Sequence, residues 1–218
     1  MKLPVLSCII SLLVPGTFAS AAEGPLAPQM KGDLVSLQGK KTHRFDDAPL
    51  ASAKYFAVYY SASWCGPCKQ FTPKLVEFYN RIKPAHSEFE LVLVSSDYSE
   101  AEMEAYMKAD AMPWPALEFR KASGKHVLGS YRGKGIPCLV FLDANGKVLS
   151  HSYEGANYVG PSKVMADIEK TLGSGTAPAA DSAKSPVGTG GTTGTVAGGI
   201  KPTSPKGSNF DEFFKKKP

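Results

Sequence analysis

The sequence has few cysteines, no large excess of one charge and no hydrophobic run long enough to cross a membrane. Four cysteines in 218 residues exclude a small scaffold held together by many disulfides. The formal net charge is only +5 and the lysines are scattered, so there is no basic stripe of the kind that binds nucleic acid, and no nucleic-acid partner is expected. Hydrophobic residues make up 43% of the sequence, which is enough for one globular domain with additional sequence at each end.

The first 22 residues have the layout of a cleaved secretory signal. Lys2 is followed by a mostly apolar run, Leu3 to Val14, and then by small residues; the run is too short for a stable membrane anchor. We expect cleavage after Ala21 or Ala22, which removes Cys8; the alternative is that Cys8 carries a lipid anchor. The chain is thus predicted to be exported to a bacterial periplasm or envelope, with no stable membrane span in the mature protein.

Composition divides the remaining chain into a domain, residues 31–172, and a tail, residues 173–218. Apolar runs alternate with turn residues in the domain, whereas the tail consists mainly of Gly, Ser, Thr, Pro and Ala as far as Asn209. Such a segment buries too little apolar surface to offset its ordering entropy, so we predict a disordered linker. The tail ends in NFDEFFKKKP, which is either a docking motif or a frayed terminus.

The pattern of the domain predicts alternating strands and helices. KYFAVYYSA and FELVLVSSD are continuous apolar runs typical of buried strands. One helix is predicted from the cysteine pair onward, kinked at Pro73, and another in SEAEMEAYMKA, where Ser99 and Glu102 form a capping box. GIPCLVFLDANGKVLSHS predicts a hairpin at Asn145-Gly146, and GPSKVMADIEKTL a final helix. This order indicates an α/β fold with a central mixed β-sheet flanked by helices.

The segment SASWCGPCKQ places Cys65 and Cys68 one turn apart at the start of the first of these helices. A zinc site needs two further thiolate or imidazole ligands, but there is no second CxxC and the four histidines are scattered, so no metal is expected. A structural disulfide that closes so small a loop constrains the unfolded chain very little. A redox couple fits better, because a helix N-terminus stabilises the Cys65 thiolate and lowers its pKa below the ordinary value of about 8.5. Cys65 is therefore the predicted nucleophile and Cys68 the predicted resolving thiol.

These motifs resemble those of the thioredoxin superfamily and, more closely, its tryparedoxin and nucleoredoxin branch. WCGPCK is similar to the family's active-site signature and GIPCLVF to its cis-proline strand, while YYSA, FTPKLVEFY and MPWP are similar to elements of the branch. The resemblance implies a thioredoxin-like fold, thiol–disulfide exchange without a bound cofactor, and a cis bond between Ile136 and Pro137. It also implies supporting roles for Trp64, Gly66 and Pro67 around the cysteine pair.

Three features depart from the family pattern. Tyr59 occupies the strand position where thioredoxins usually carry a buried acid, which leaves the base for Cys68 unnamed; Glu77 and Asp97 are the candidates. Gly-Pro lies between the cysteines, as in thioredoxin, where the closer branch commonly has Pro-Pro. Cys138 follows the cis-proline and is predicted to be either a small core residue or a third thiol near the pair.

The sequence thus predicts an exported thiol:disulfide oxidoreductase that reduces disulfides of proteins or small molecules. The reducing direction is inferred from the Gly-Pro dipeptide, which resembles the reducing members of the superfamily, and it requires an electron donor that the sequence does not identify. One alternative is a thiol oxidant or disulfide isomerase, which export to an oxidising compartment favours. The other is a thioredoxin-like binding module that acts through the tail. We expect the protein to be a monomer.

Overall fold

The computed structural model describes residues 25–122 and 125–173. The predicted signal at residues 1–22, with Cys8, lies outside these ranges, as does the predicted tail beyond Gly173. Within the two ranges, no helix is both long enough and apolar enough to cross a membrane.

Nine strands are formed by the described residues: β1 (Leu34–Gln38), β2 (Lys41–Arg44), β3 (Tyr55–Ser61), β4 (Phe89–Ser95), β5 (Ala116–Leu117), β6 (Cys138–Asp143), β7 (Val148–His151), β8 (Tyr153–Glu154) and β9 (Asn157–Tyr158). The first seven belong to one sheet in the order β2-β1-β5-β4-β3-β6-β7. β4 pairs in parallel with β3 and β5, whereas β6 pairs antiparallel with β3 and β7. The central sheet is therefore mixed, as the sequence predicts.

Six α-helices are assigned within the same ranges: α1 (Leu26–Met30), α2 (Ala48–Ser52), α3 (Gly66–Ile82), α4 (Glu100–Ala109), α5 (Phe119–Ala122) and α6 (Pro161–Leu172). The three helices predicted from sequence, α3, α4 and α6, are confirmed. Ser99 caps α4 as predicted, since its hydroxyl accepts from the Glu102 amide at 3.2 Å. The Glu102 carboxylate, however, accepts from the Tyr98 amide at 2.9 Å. The reciprocal half of the capping box is thus displaced by one residue.

β3 lies at the centre of the domain and is buried on both faces of the sheet. Ala57 and Tyr59 pack into a cluster with side chains of α3, α4 and α6. The alternate residues Phe56, Val58 and Tyr60 pack into a second cluster with side chains of α1 and α2. Burial on both faces explains why the sequence of the strand is a continuous apolar run. It also holds the end of β3 in place, and the cysteine pair follows a few residues later.

The folded region begins before residue 31, where the sequence analysis places the start of the domain. Leu26 and Met30 of α1 are fully buried, and the Leu26 amide donates to the Ala144 carbonyl at 2.9 Å. A five-residue helix is too short to show helical periodicity, and α1 has no side-chain cap, so the sequence carries no signal for it. The hairpin of β1 and β2 is likewise absent from the sequence predictions, because most of its residues are half-buried or exposed and do not alternate clearly.

Candidate active site

Cys65 and Cys68 lie where the chain passes from β3 into α3. Cys65 is the N-cap of α3, with an extended backbone, and its sulfur accepts from the Cys68 amide at 3.2 Å. Pro67 lies in the first turn, where a missing amide hydrogen costs nothing. A Cβ added at Gly66 would meet no atom within 4 Å, so the predicted supporting role of Gly66 has no steric basis in this fold.

The two cysteines form a disulfide, with an S–S distance of 2.05 Å, so the structure represents the oxidised state. Cys65 is 6% exposed and Cys68 is fully buried. A partner sulfur can therefore reach Cys65 but not Cys68. When the pair is reduced, the amides and the dipole at the start of α3 favour the thiolate of Cys65.

Ile136 and Pro137 lie beside the disulfide, on the loop that leads into β6. The bond between them is cis, and the Ile136 carbonyl oxygen is 3.8 Å from the Cys65 sulfur. The Ile136 side chain packs against the small cluster formed by Ala62 and the two cysteines. The structure therefore brings the predicted site residues of this loop and of α3 together.

Trp64 forms the exposed rim of the site. Its side chain is 51% exposed, its Nε1 donates to the Ser96 carbonyl at 3.2 Å, and its ring stacks on that of Tyr98 at a centroid distance of 5.8 Å. Tyr98 is also largely exposed and was not identified from the sequence, since nothing in the linear pattern pairs the loop after β4 with the one after β3. Together the two rings present an apolar surface next to Cys65.

Among the described hydrogen bonds, neither acidic candidate contacts Cys68. Asp97 is buried and both of its carboxylate oxygens are used: Oδ1 accepts from the Ser63 amide at 2.7 Å and Oδ2 accepts from the Ser95 hydroxyl at 2.8 Å. It therefore anchors the loop that precedes the cysteines. Glu77 is exposed on α3, two and a half turns beyond the buried Cys68. Among the described residues there is also no group of three or more His, Cys, Asp or Glu side chains placed to hold a metal ion.

Tyr59 belongs to a ring of four hydroxyl groups in the core beside α3. Tyr59, Thr72, Tyr106 and Ser61 follow one another around the ring, and their neighbouring oxygens are 2.9, 2.7, 2.8 and 3.0 Å apart. Thr72 also donates to the Cys68 carbonyl at 2.9 Å, which ties the ring to the first turn of the helix. All four side chains are at most 3% exposed. We call this arrangement the hydroxyl ring.

The hydroxyl ring is uncharged at neutral pH. Burial raises the pKa of Tyr59 well above its ordinary value of 10 and also raises the pKa of Tyr106. The ring therefore supplies hydrogen bonds to the start of α3 without a charge that would alter the ionisation of the cysteines. In this respect it differs from the buried carboxylate that thioredoxins usually carry at the position of Tyr59.

Replacing Tyr59 with phenylalanine should destabilise the fold by about 1–3 kcal/mol, because buried hydroxyl partners lose a hydrogen bond. Tyr98→Phe is the matched control: it removes an exposed hydroxyl and should change the free energy of unfolding by less than about 0.5 kcal/mol. Urea unfolding of both variants measures the difference. The pKa of Tyr59 is raised in the folded state, so its contribution to the free energy of unfolding is fully present below a pH of about 10. Above that pH the contribution decreases, because the unfolded chain loses a proton that the folded chain retains. A Tyr59→Phe effect no larger than that of Tyr98→Phe would contradict a structural role for the ring.

Cys138, the possible third thiol, lies in the core as a free cysteine. It is fully buried in the cluster on the other side of the sheet from Tyr59, among residues such as Tyr60 and Val140. Burial raises the pKa of its thiol to about 11, which keeps it protonated and unreactive near neutral pH. Its burial supports the first of the two roles predicted from sequence, that of a small core residue, and the alternative of a third thiol near the pair stays a prediction.

Comparison with known proteins finds a matching family model, related sequences and a similar solved structure. A family model described as Thioredoxin-like matches residues 53–148. Nucleoredoxin of Danio rerio is 33% identical over 145 residues, covering 66% of this chain and 34% of that protein. Tryparedoxin of Trypanosoma brucei brucei is 43% identical over 89 residues, covering 40% of this chain and 60% of that protein. A solved structure of tryparedoxin II from C.fasciculata is 27% identical, with a TM-score of 0.50, and the match covers 73% of this chain and 100% of that one. The chain thus spans about a third of the length of the nucleoredoxin that it matches.

Proposed function

We propose that this chain, which has a thioredoxin-like domain with nucleoredoxin and tryparedoxin homologues and the fold of a solved tryparedoxin, is a thiol–disulfide oxidoreductase that reduces disulfides with Cys65 and Cys68. The difference in exposure of the two cysteines carries the proposal: Cys65, whose sulfur caps the N-terminus of α3, is 6% exposed, whereas Cys68 is fully buried. This asymmetry assigns attack to one thiol and resolution to the other.

The reaction proceeds through two exchanges of a sulfur–sulfur bond. The Cys65 thiolate attacks one sulfur of a substrate disulfide, so a Cys65–substrate bond forms and the other substrate sulfur leaves as a thiolate. The Cys68 thiolate then attacks the Cys65 sulfur, which forms the intramolecular disulfide and releases the second substrate thiolate. Two electrons pass to the substrate, and its two thiolates take protons from solvent. A dithiol donor must afterwards reduce the Cys65–Cys68 disulfide.

The geometry of the loop before β6 supports this mechanism. The Ile136 backbone faces Cys65, with its carbonyl oxygen 3.8 Å from the sulfur. An extended segment of a substrate can pair with this backbone while its own disulfide lies over Cys65. The exposed, stacked rings of Trp64 and Tyr98 add an apolar contact surface, which suits flexible protein substrates better than a small molecule alone.

The direction and setting of the reaction are part of the proposal. The Gly66-Pro67 dipeptide, similar to that of reducing thioredoxins, favours reduction of disulfides in exported proteins. The layout of residues 1–22 favours a location outside the cytoplasm of a bacterial cell. We propose that a donor at or across the membrane supplies the electrons there. We also propose that the protein acts as a monomer. That same signal favours the second candidate, a thiol oxidant or isomerase, because exported proteins meet an oxidising environment.

A turnover assay separates these candidates. The purified chain is mixed with insulin as the disulfide substrate and dithiothreitol as the donor, and precipitation of the released chains is followed. We expect the protein to accelerate reduction well beyond dithiothreitol alone. If it does not, but instead accelerates oxidation of a reduced, unfolded protein by glutathione disulfide, the reductase assignment is wrong and the oxidant assignment replaces it.

A further inference from the structure

A polar cleft lies next to the redox site and is not used by the mechanism above. Its volume is about 440 Å³, and its lining includes Ser96, Asp97, Phe119, Arg120 and Arg132. The cleft shares a wall with the active site: the Ser96 carbonyl accepts from Trp64 Nε1 at 3.2 Å, and the Ser96 hydroxyl accepts from the Arg132 guanidinium at 2.9 Å. Ser96 is therefore the residue that separates a group bound in the cleft from Trp64 at the active site.

The guanidinium of Arg132 is held in a fixed position although it is exposed. One of its nitrogens donates to the Ser96 hydroxyl, and its central carbon lies 5.6 Å from the centroid of the Tyr60 ring. An arginine placed over an aromatic ring keeps its planar edge available for a ligand and loses less rotamer entropy when it binds one. Arg132 also belongs to the loop that carries Ile136, the residue whose backbone faces Cys65.

Negative charge around the cleft is already committed to other partners. Both carboxylate oxygens of Asp97 accept hydrogen bonds from Ser63 and Ser95. Glu118 and Asp33, near α5, both pair with Lys121. Over residues 25–122 and 125–173, no carboxylate forms an ion pair with Arg132.

The lining thus combines two guanidinium groups, those of Arg120 and Arg132, with one buried carboxylate. A guanidinium edge matches a carboxylate with two parallel hydrogen bonds, and a compact neutral or cationic group gains no such match. The side chain of Phe119 gives the cleft an apolar wall against which the methylene groups of a glutamate can pack. The cleft is therefore suited to a short acidic side chain.

We propose that this cleft binds an acidic side chain that flanks the disulfide cysteine of a protein substrate, with Arg132 as the main specificity-determining residue. The inference rests on the proposed reductase function, because it names which disulfides that site prefers. Because Ser96 contacts both Trp64 and Arg132, and Arg132 precedes Ile136 on the same loop, a segment that pairs with the Ile136 backbone passes close to the cleft. The free carboxylates of a small disulfide such as glutathione disulfide have the same chemistry as an acidic side chain, so glutathione disulfide is also tested as a substrate.

The test compares two disulfide-linked peptides that are identical except that glutamates beside the cysteine in one are glutamines in the other. Their reduction by the full chain, with dithiothreitol as donor, gives kcat/KM for each. We expect a preference of roughly threefold to tenfold for the acidic peptide, falling towards one in Arg132→Gln and decreasing when the salt concentration is raised. Arg120→Gln should lower the preference by a smaller factor. Lys147→Gln, which removes one positive charge at the turn between β6 and β7, should keep it.

The outcomes distinguish this inference from the proposed function. If neither peptide is reduced, the reductase function itself fails. If both are reduced at equal rates, or if Arg132→Gln and Lys147→Gln lower the preference equally, the cleft is not the acidic subsite. Glutathione disulfide serves as the small carboxylate-bearing substrate; a dependence on Arg132 seen with it and not with the peptides would overturn the assignment to a protein segment. Thermal melting of Arg132→Gln shows whether the fold tolerates the loss of the arginine over Tyr60. If that variant is unstable, the preference of Arg120→Gln for the acidic peptide provides the test instead.

Discussion

Replacing Cys65 with serine is expected to lower the rate of disulfide reduction by at least about 10³-fold, since a hydroxyl at neutral pH cannot replace a thiolate as the attacking group. The expectation follows from the positions of the two sulfurs: Cys65 is the one that a substrate can reach, and Cys68 is fully enclosed. The remaining thiol therefore has no access to a protein disulfide. Turnover of insulin with dithiothreitol, measured for the wild type and the variant at the same concentration, gives the ratio.

Cys138→Ala is the matched control for this experiment. It also removes one sulfur, but from the core cluster on the other side of the sheet, so turnover should stay close to that of the wild type. Equal losses in Cys65→Ser and Cys138→Ala would contradict the assignment of the nucleophile. A Cys65→Ser protein that kept its full biological activity would instead support the binding-module alternative.

Replacing Cys68 with alanine should convert the protein into a trap for its substrates. The Cys65 thiolate can still attack, but no second thiol is placed to break the resulting bond, so a mixed disulfide between Cys65 and the substrate accumulates. Turnover should fall roughly 10²-fold or more, since only the external donor can then release the enzyme. Non-reducing electrophoresis and mass spectrometry of the protein after incubation with insulin detect the covalent adduct and its site.

The variant that lacks both Cys65 and Cys68 provides the control, because it should form no adduct. An adduct on Cys138 would show that the buried thiol becomes accessible, contrary to its complete burial and to its raised pKa of about 11. Absence of any adduct in Cys68→Ala, with Cys65 still reactive towards a small alkylating reagent, would mean that the site does not engage protein disulfides.

The parts of the fold that the sequence predicts are those with long, regular patterns. β3 and β4 are buried on both faces and read as apolar runs, and α3, α4 and α6 have periodic apolar faces or clear caps. The hairpin of β6 and β7 is signalled by Asn145-Gly146, where Gly146 adopts a φ of 83°. The short elements α1, α2, β5 and α5 have two to five residues each, too few for a period to show.

The candidate site was predictable where its chemistry lies within one motif, and less so where it depends on contacts between distant segments. Cys65 and Cys68 are identified by their spacing and by the helix that follows. The hydroxyl ring was not, because Tyr59, Thr72 and Tyr106 come from three different elements whose register the sequence does not reveal. The stacking of Trp64 on Tyr98 was not predicted either, because the two residues lie in different loops more than thirty positions apart.

The reduction potential of the Cys65–Cys68 pair determines whether the protein reduces or oxidises its substrates. The purified protein is equilibrated in dithiothreitol and glutathione buffers of known composition, and the fraction of reduced pair is measured by thiol alkylation, with Cys138→Ala in parallel to exclude the third thiol. A reductase should give a value near that of thioredoxin, about −270 mV, and the same value in the variant. A potential near −120 mV, which is typical of a strong disulfide-forming oxidant, would contradict the proposed direction of electron flow.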